Sequence, residues 1–522
     1  MLSNELIKKM QAQNIDIELT LDILKRYNNG EYKDQKCIKV KSIPKVDGLR
    51  IINMIKDIRY TTDYKKALLL LKKLNIPYDL STIGEVKDKK ITFDRHDLYE
   101  LGLFLLPVTA YGILNGGSAS SYIDYKKNKE FNNELFTLYK KEFTRLAQIC
   151  KGKAKGITPA FLQPGGKPGP SFLELKMRAV LIKALQYELN THTKSPLFLP
   201  MFQMTSVLTN AQIERAYKEY SASPLLKDLI RETSIQTVNI ATGIQPLLAA
   251  YTNSKQGIQK QVFTHAYGKT DNILPMPGGH GQNFFVLKKI YQDLYARGIR
   301  YAYLGNVDNL GFTPDPISLA LFALSHKQAA FEFSFKTPVD IKGGILIIDQ
   351  SGRFNTAEIG HAIYWHEIEK AERRGKKILF NCAIGLFNLD YLVNNMDSII
   401  THLPVRFSDQ EKDAGSYSQA EQITWEIMGL LDDVLIFAVD KFESFLAVKM
   451  LIEGLMTSGL KLENKYFPTD DNPARDLKFI ARRLNEGLMK KLNTVYGMKL
   501  KNNLWVPKSV GEIRAEIIGA PF

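Results

Sequence analysis

The chain has 522 residues, 45% of them hydrophobic and 24% charged, with a mean hydropathy of −0.18. These values exclude a low-complexity or wholly disordered protein and predict a large central domain with additions, or two to three domains. A formal charge of +15 suits small phosphorylated substrates, acidic lipid and nucleic acid alike, and so selects none of them.

The basic runs are short, as in Lys126-Lys127 and Arg373-Arg374, and read as solvated faces, so nucleic acid is not an expected partner. Cys37, Cys150 and Cys382 are widely spaced, as in a reduced intracellular protein. The opening ten residues are polar and lack a secretory apolar stretch. The most apolar run, 101–114, contains Pro107 and is too short to cross a bilayer. A cytoplasmic protein without membrane partners is expected.

Residues 1–95 read as mostly helical, with Tyr64 to Leu74 the best helix. From 96 to 460 short apolar runs alternate with amphipathic stretches. Strands are predicted at 107–114, 196–201, 237–240, 301–304, 330–335, 344–348, 378–381 and 434–439. Helices are predicted at 284–297, 316–329, 359–374 and 442–457, and another opens at Ser171. This alternation predicts an α/β fold with a wound, mostly parallel sheet and ligands at the carboxyl ends of its strands. Residues 461–522 read as a small, mostly helical, basic cap without internal repeats.

Several motifs follow these strands. Asn115-Gly116-Gly117-Ser118 could offer backbone N–H groups to phosphate, although a Gly-Gly turn is more often only a turn. Lys155-Gly156 in a Gly/Pro-rich stretch could place a point charge on a triphosphate, or could be an exposed basic loop. His280 between Gly279 and Gly281 has a backbone that ligands can approach closely. Asp308, just past a strand within Asn306-Val307-Asp308-Asn309-Leu310-Gly311, suits a hard cation beside phosphates, or else an Asx turn. Lys342-Gly343-Gly344 enters a further strand. Glu358 and Asn381 offer groups for sugar hydroxyls, and Lys449 ends the run Phe445-Leu446-Ala447-Val448.

In this order the motifs resemble the UDP-glucose pyrophosphorylase family over about residues 105–460. The resemblance implies a Rossmann-like wound mixed sheet of the nucleotide-diphospho-sugar transferase (GT-A-like) type, with helical additions at both ends. It also implies transfer of uridylyl from UTP to a hexose-1-phosphate with Mg²⁺. Glucose-1-phosphate is the first expectation, with N-acetylglucosamine-1-phosphate, galactose-1-phosphate or a non-catalytic UDP-sugar binder as alternatives. The implied catalytic residues are Lys155, Asp308 (also the Mg²⁺ ligand) and Lys449. The nucleotide falls to Gly116, Gly117, Gln245, Gly279 and His280. The sugar phosphate falls to Asn306, Lys342, Gly343, Gly344, Glu358 and Asn381.

The chain departs from the family pattern in three places. Ala119-Ser120-Ser121 stands where the family has Gly-Thr-Arg, removing the arginine expected at the leaving pyrophosphate. Gly117 and Lys155 are further apart than usual, with Lys126, Lys127 and Lys129 between them; one of these, or Lys153, could restore the charge. No C-terminal β-helix is evident, so no oligomeric state carries over.

Overall fold

The computed structural model describes residues 3–32, 38–120, 122–195, 197–257, 259–337, 340, 343–360, 362–472 and 475–519. Cys37, Ser121 and Lys342 lie outside the described residues. Among those described, eleven strands form the central sheet. They are β1 Val40–Ser42, β2 Ile51–Asn53, β3 Thr109–Leu114, β4 Met201–Ser206, β5 Ala241–Gln245, β6 Tyr301–Asn306, β7 Ala329–Phe335, β8 Gly344–Asp349, β9 Phe354–Glu358, β10 Leu379–Asn388 and β11 Val434–Val439.

The main strand order is β2-β11-β7-β10-β6-β3-β4-β5, with β8 joining β10 and carrying β9 and β1. The adjacent pairs are parallel except those made by β10, which runs antiparallel to both β6 and β7. The result is the expected wound, mixed α/β sheet. The chain steps outward from β3 to β4 and β5, then returns to lay β6 on the other side of β3. The carboxyl ends of β3 and β6 therefore form the topological switch point, where open α/β sheets bind ligands.

Two strands lie later than predicted. Met201–Ser206 replaces 196–201, and Ala241–Gln245 replaces 237–240. Their apolar lead-ins drew the prediction, whereas the strands themselves carry polar side chains that satisfy one another across the sheet. Asn115 Nδ2 donates to Gln203 Oε1 at 3.1 Å, and Gln203 Nε2 donates to Thr242 Oγ1 at 3.0 Å. Strand β10 continues seven residues beyond the predicted end at Asn381. Its register against β7 shifts between Phe331 and Phe333, at a bulge where Ala383 takes φ +54°. Such a bulge bends a strand and re-aims its side chains.

The first 95 residues contribute strands as well as helices: β2 extends the central sheet, and Tyr60–Asp63, Lys90–Phe93 and Glu85–Lys87 make a small sheet. A hairpin not expected from the sequence, Val405–Lys412 with Gly415–Gln422, stands beside the central sheet.

The helix Phe172–Thr191 starts at a reciprocal cap between Ser171 and Glu174 and is buried over most of its first four turns. Buried Arg178 on this helix anchors the C-terminal segment by donating to the carbonyls of Tyr496 (2.7 Å), Gly497 (2.9 Å) and Lys508 (2.9 Å). Tyr496 in turn donates its hydroxyl to the Leu310 carbonyl at 2.7 Å, tying that segment to the loop after β6. Among the described residues, no helix is long and apolar enough to cross a membrane.

Candidate active site

At the end of β3, Gly116 and Gly117 begin a loop that pairs antiparallel with the segment before Lys155. The Lys155 N–H donates to the Gly117 carbonyl at 3.0 Å, and the Ala119 N–H donates to the Lys153 carbonyl at 2.9 Å. The Gly116 carbonyl is held from the far side by the Ser206 hydroxyl at 2.9 Å. This pairing carries the Lys155 ammonium across the switch point to the Asp308 carboxylate at the end of β6, where the two form a partly buried ion pair. The Tyr122 ring lies under the same ammonium, 5.2 Å from its centroid. Residues 153 positions apart in sequence thus meet because the sheet winds back on itself.

The stretch after Asp308 is fixed by the Phe445–Lys449 segment. The Leu310 N–H donates to the Leu446 carbonyl, and the Val448 N–H to the Asp308 carbonyl, each at 3.2 Å. The two segments approach so closely that a Cβ on Gly311 would lie 2.2 Å from the Ser444 carbonyl oxygen. This pairing leaves Lys449 one residue beyond Asp308, at the mouth of the cleft. The Lys449 N–H donates to Glu453 Oε2 at 2.8 Å. Burial pushes the Glu453 carboxyl up, while its backbone bonds and the charges of Lys449 and Lys155 pull it back.

His280 lies in a rigid clamp. The Thr424 N–H donates to Nδ1 at 3.1 Å, and Asn283 Nδ2 donates to the His280 carbonyl at 3.0 Å. Because Nδ1 accepts, the single proton of the neutral ring resides on Nε2. Burial first, and the nearby Lys449 charge second, hold the imidazole down to about 4, so it is neutral at pH 7. The flanking glycines are required: Gly279 has φ +79°, and a Cβ there would lie 2.4 Å from the Gln422 carbonyl oxygen. Gln245, at the end of β5, uses both amide hydrogens on protein acceptors, the Gly279 carbonyl at 2.7 Å and Gln282 Oε1 at 2.8 Å. Its own oxygen remains beside Gly116, 3.3 Å from where a Cβ would stand.

A cleft of about 360 Å³ opens from His280, Asn306, Asp308 and Lys449 toward Gly343, Gly344, Glu358 and Asn381. Gly343 has φ +140° and packs on the Phe380 ring, 2.5 Å from its would-be Cβ. Asn381 accepts the Ala383 N–H at 2.8 Å, which braces the bulge of β10 at the cleft wall. Gly116, Gly117, Lys155, Gln245 and Gly279 do not line this cleft. They adjoin it through the Lys155–Asp308 pair and the Gln245–Gly279 bond.

Two features escaped the sequence reading. Lys176, fully buried, donates to the carbonyls of Asn309 and Phe312, each at 3.0 Å, and to the Tyr111 hydroxyl at 3.3 Å. Burial pushes its ammonium down to about 7, and the Asp308 charge offsets part of that. It thereby clamps the Asp308 loop from below. Arg406 and Glu426, brought to the cleft by the hairpin and the turn after it, form an ion pair at 2.5 Å. Neither feature has a sequence motif; only a lysine at an otherwise apolar helix position hints at the first.

A UTP–glucose-1-phosphate uridylyltransferase family model matches residues 167–465, which takes in every site residue from Gln245 to Lys449 but leaves the Gly-Gly loop and Lys155 upstream. A probable UTP–glucose-1-phosphate uridylyltransferase of Schizosaccharomyces pombe is 25% identical over 245 residues, 46% of this chain and 42% of that protein. UTP–glucose-1-phosphate uridylyltransferase 2 of Dictyostelium discoideum is 33% identical over 152 residues, 25% of this chain and 30% of the relative. The chain thus spans less than half the length of the curated relatives it matches.

Among solved structures, the UDP-glucose phosphorylase of Trypanosoma brucei superposes with a TM-score of 0.53 at 16% identity, covering 97% of this chain and 81% of that one. The uridine diphosphate N-acetylglucosamine pyrophosphorylase of the same organism superposes with a TM-score of 0.52 at 16% identity, covering 82% and 80%. At these identities the likeness establishes the fold. Together with the family match over more than half of its length, it leads to one conclusion: the chain belongs to the UTP–glucose-1-phosphate uridylyltransferase family.

Proposed function

We propose that the protein is a cytoplasmic uridylyltransferase that joins UTP and a hexose-1-phosphate, glucose-1-phosphate first among them, to give a UDP-sugar and pyrophosphate. The observation that carries this reading is the convergence at one switch point of the Lys155–Asp308 pair, Lys449 and His280, with a sugar-sized cleft beyond them. In-line attack of a sugar-phosphate oxygen on the α-phosphorus of UTP needs positioning and charge neutralisation more than covalent help.

In this reading the Gly116-Gly117 loop receives the nucleotide, and the free oxygen of Gln245 accepts a hydrogen bond from the uracil ring N–H. The Nε2 proton of His280 is donated to a phosphate oxygen, while Lys155 and Lys449 balance phosphate charge. Asn306, Gly343, Gly344, Glu358 and Asn381 hold the sugar phosphate. Lys342 is assigned to the same group on the resemblance alone, since it lies outside the described residues.

Asp308 fits a magnesium ion that takes its other ligands from phosphates and water, because Mg²⁺ at nucleotide sites is often held by one or two carboxylates. Among the described residues no group of three or more His, Cys, Asp and Glu side chains could form a cage, which agrees with such a substrate-completed site. When bound, Mg²⁺ would neutralise phosphate charge beside Asp308, and Lys155 would turn from Asp308 to the phosphates. Lys153 is the favoured substitute for the family arginine, because its backbone pairs with the loop that lacks it.

The reverse reaction tests the reading. With UDP-glucose and pyrophosphate, UTP and glucose-1-phosphate should form; binding of UDP-glucose without their formation would instead identify a UDP-sugar binder.

A further inference from the structure

The long segment between Gly117 and Lys155 reaches the switch point through a buried asparagine. In the helix Tyr125–Phe131, Lys126, Lys127 and Lys129 are exposed, whereas Asn128 is buried. Asn128 Nδ2 donates to the Tyr122 carbonyl at 3.0 Å, and its Oδ1 accepts the Ile452 N–H at 2.9 Å. The Leu451 N–H donates to the same Tyr122 carbonyl at 3.0 Å. The Tyr122 backbone is thereby tied to the helix Leu451–Thr457, which begins just after Lys449. Its side chain is 3% exposed and packs where that helix has Gly454. A Cβ on Gly454 would stand 3.3 Å from the Tyr122 hydroxyl and 3.1 Å from Val448. Glycine inside a helix is less stable than alanine, so this packing is kept at a cost to the helix.

The ring fixed in this way has the Lys155 ammonium over its face, 5.2 Å from the centroid, within the range at which an aromatic face attracts a cation. The same ammonium is paired with Asp308, and its charge also reaches Glu453. Those two carboxylates compete with phosphate for the lysine. An aromatic face attracts the ammonium without competing as an anion, and so can hold it while leaving its charge free for phosphate oxygens. A flexible four-carbon side chain gains most from such a seat, because little else fixes where its charge stands. An aliphatic side chain in the same place would fill the space and attract no cation.

We propose that Tyr122 is a positioning residue whose ring face seats the Lys155 ammonium at the switch point, so that the lysine meets the reacting phosphates from a fixed place when it separates from Asp308. The assignment rests on the uridylyltransferase reading and gives the helix Tyr125–Phe131 a part in it, through the bond by which Asn128 fixes Tyr122.

Replacing Tyr122 by phenylalanine, and then by phenylalanines carrying one, two and three ring fluorines, tests the assignment, because fluorine draws electron density from the ring face at nearly constant shape. Tyr122→Phe should keep kcat for pyrophosphate release within about twofold of wild type, and log kcat should then fall with each fluorine, to a loss of about 10-fold at three. Tyr122→Leu should also lose about 10-fold in kcat, with KM for the sugar phosphate changed by no more than about twofold. Retained binding of UDP-glucose, followed by calorimetry, shows that each variant folds. A kcat that stays level across the fluorinated series would overturn the assignment and leave the transferase reading intact, since the ring would then only fill space. A wild type that binds UDP-glucose but releases no pyrophosphate would overturn the transferase reading and this assignment with it.

Discussion

The two sides of the cleft are built by different means. On the side proposed for the nucleotide, most of the protein's polar groups are satisfied by one another, with Asn115 Oδ1 an exception among the described residues. Both Gln245 amide hydrogens are in use, the His280 tautomer is set by Thr424, and the Gly279 backbone touches that of Gln422. On the side proposed for the sugar, three acidic residues, Glu358, Glu421 and Glu426, share the cleft with Arg406. A preorganised surface of backbone and locked side chains recognises a constant ligand at low reorganisation cost. A charged pocket leaves discrimination to whatever completes it. Under the proposed function, the same chain could therefore keep its nucleotide geometry while its sugar preference changes.

Four substitutions probe that contrast, and the largest effect is expected where the two sides meet. Lys449→Ala should lower kcat for pyrophosphate release by about 10²- to 10³-fold, the usual consequence of losing one preorganised electrostatic contact. Steady-state kinetics against UTP and sugar phosphate measure it; an effect confined to KM would move Lys449 out of the transition-state contacts. Lys176→Met should cost about 3 kcal/mol in urea unfolding, because it orphans the buried carbonyls of Asn309 and Phe312. An unchanged midpoint would show that the Asp308 loop stands without this clamp.

Gly279→Ala forces a side chain onto a positive φ and against Gln422. It should weaken UDP by at least about 10-fold. Unchanged UDP affinity would show that the close Gly279–Gln422 approach does not shape the proposed nucleotide side. The remaining effect concerns pH. His280 is held down to about 4 in the folded protein, below its ordinary value of 6.5. The stability associated with its neutral form is complete above about 6.5 and is lost as pH falls toward 4, where the unfolded chain takes the proton first. Between those pH values the wild type should lose about 2 kcal/mol more stability than His280→Asn. Parallel losses would contradict the neutral assignment.

Legibility in the sequence follows the same division. Motifs that set backbone geometry were readable, because Gly279-His280-Gly281 and Asn306 to Gly311 sit directly after strands and need particular residues for close approach. Fully apolar strands such as β11 were readable for the same reason: burial on both faces leaves a continuous hydrophobic run. Strands β4 and β5 were misplaced because their buried polar residues pair only across the sheet, a long-range fact invisible to local patterning. Arg406 and Glu426 are 20 positions apart, and Lys176 and Asn309 are 133 apart. In each case the partner is supplied by topology, so neither side chain carries its role in its local context.

The central claim is most directly tested by incubating the protein with UTP, Mg²⁺ and glucose-1-phosphate and following pyrophosphate. The account predicts release of pyrophosphate in step with UDP-glucose formation, abolished by Asp308→Asn and strongly reduced when CTP replaces UTP. Absence of release with glucose-, galactose- and N-acetylglucosamine-1-phosphate, from protein that binds UDP-glucose, would contradict it.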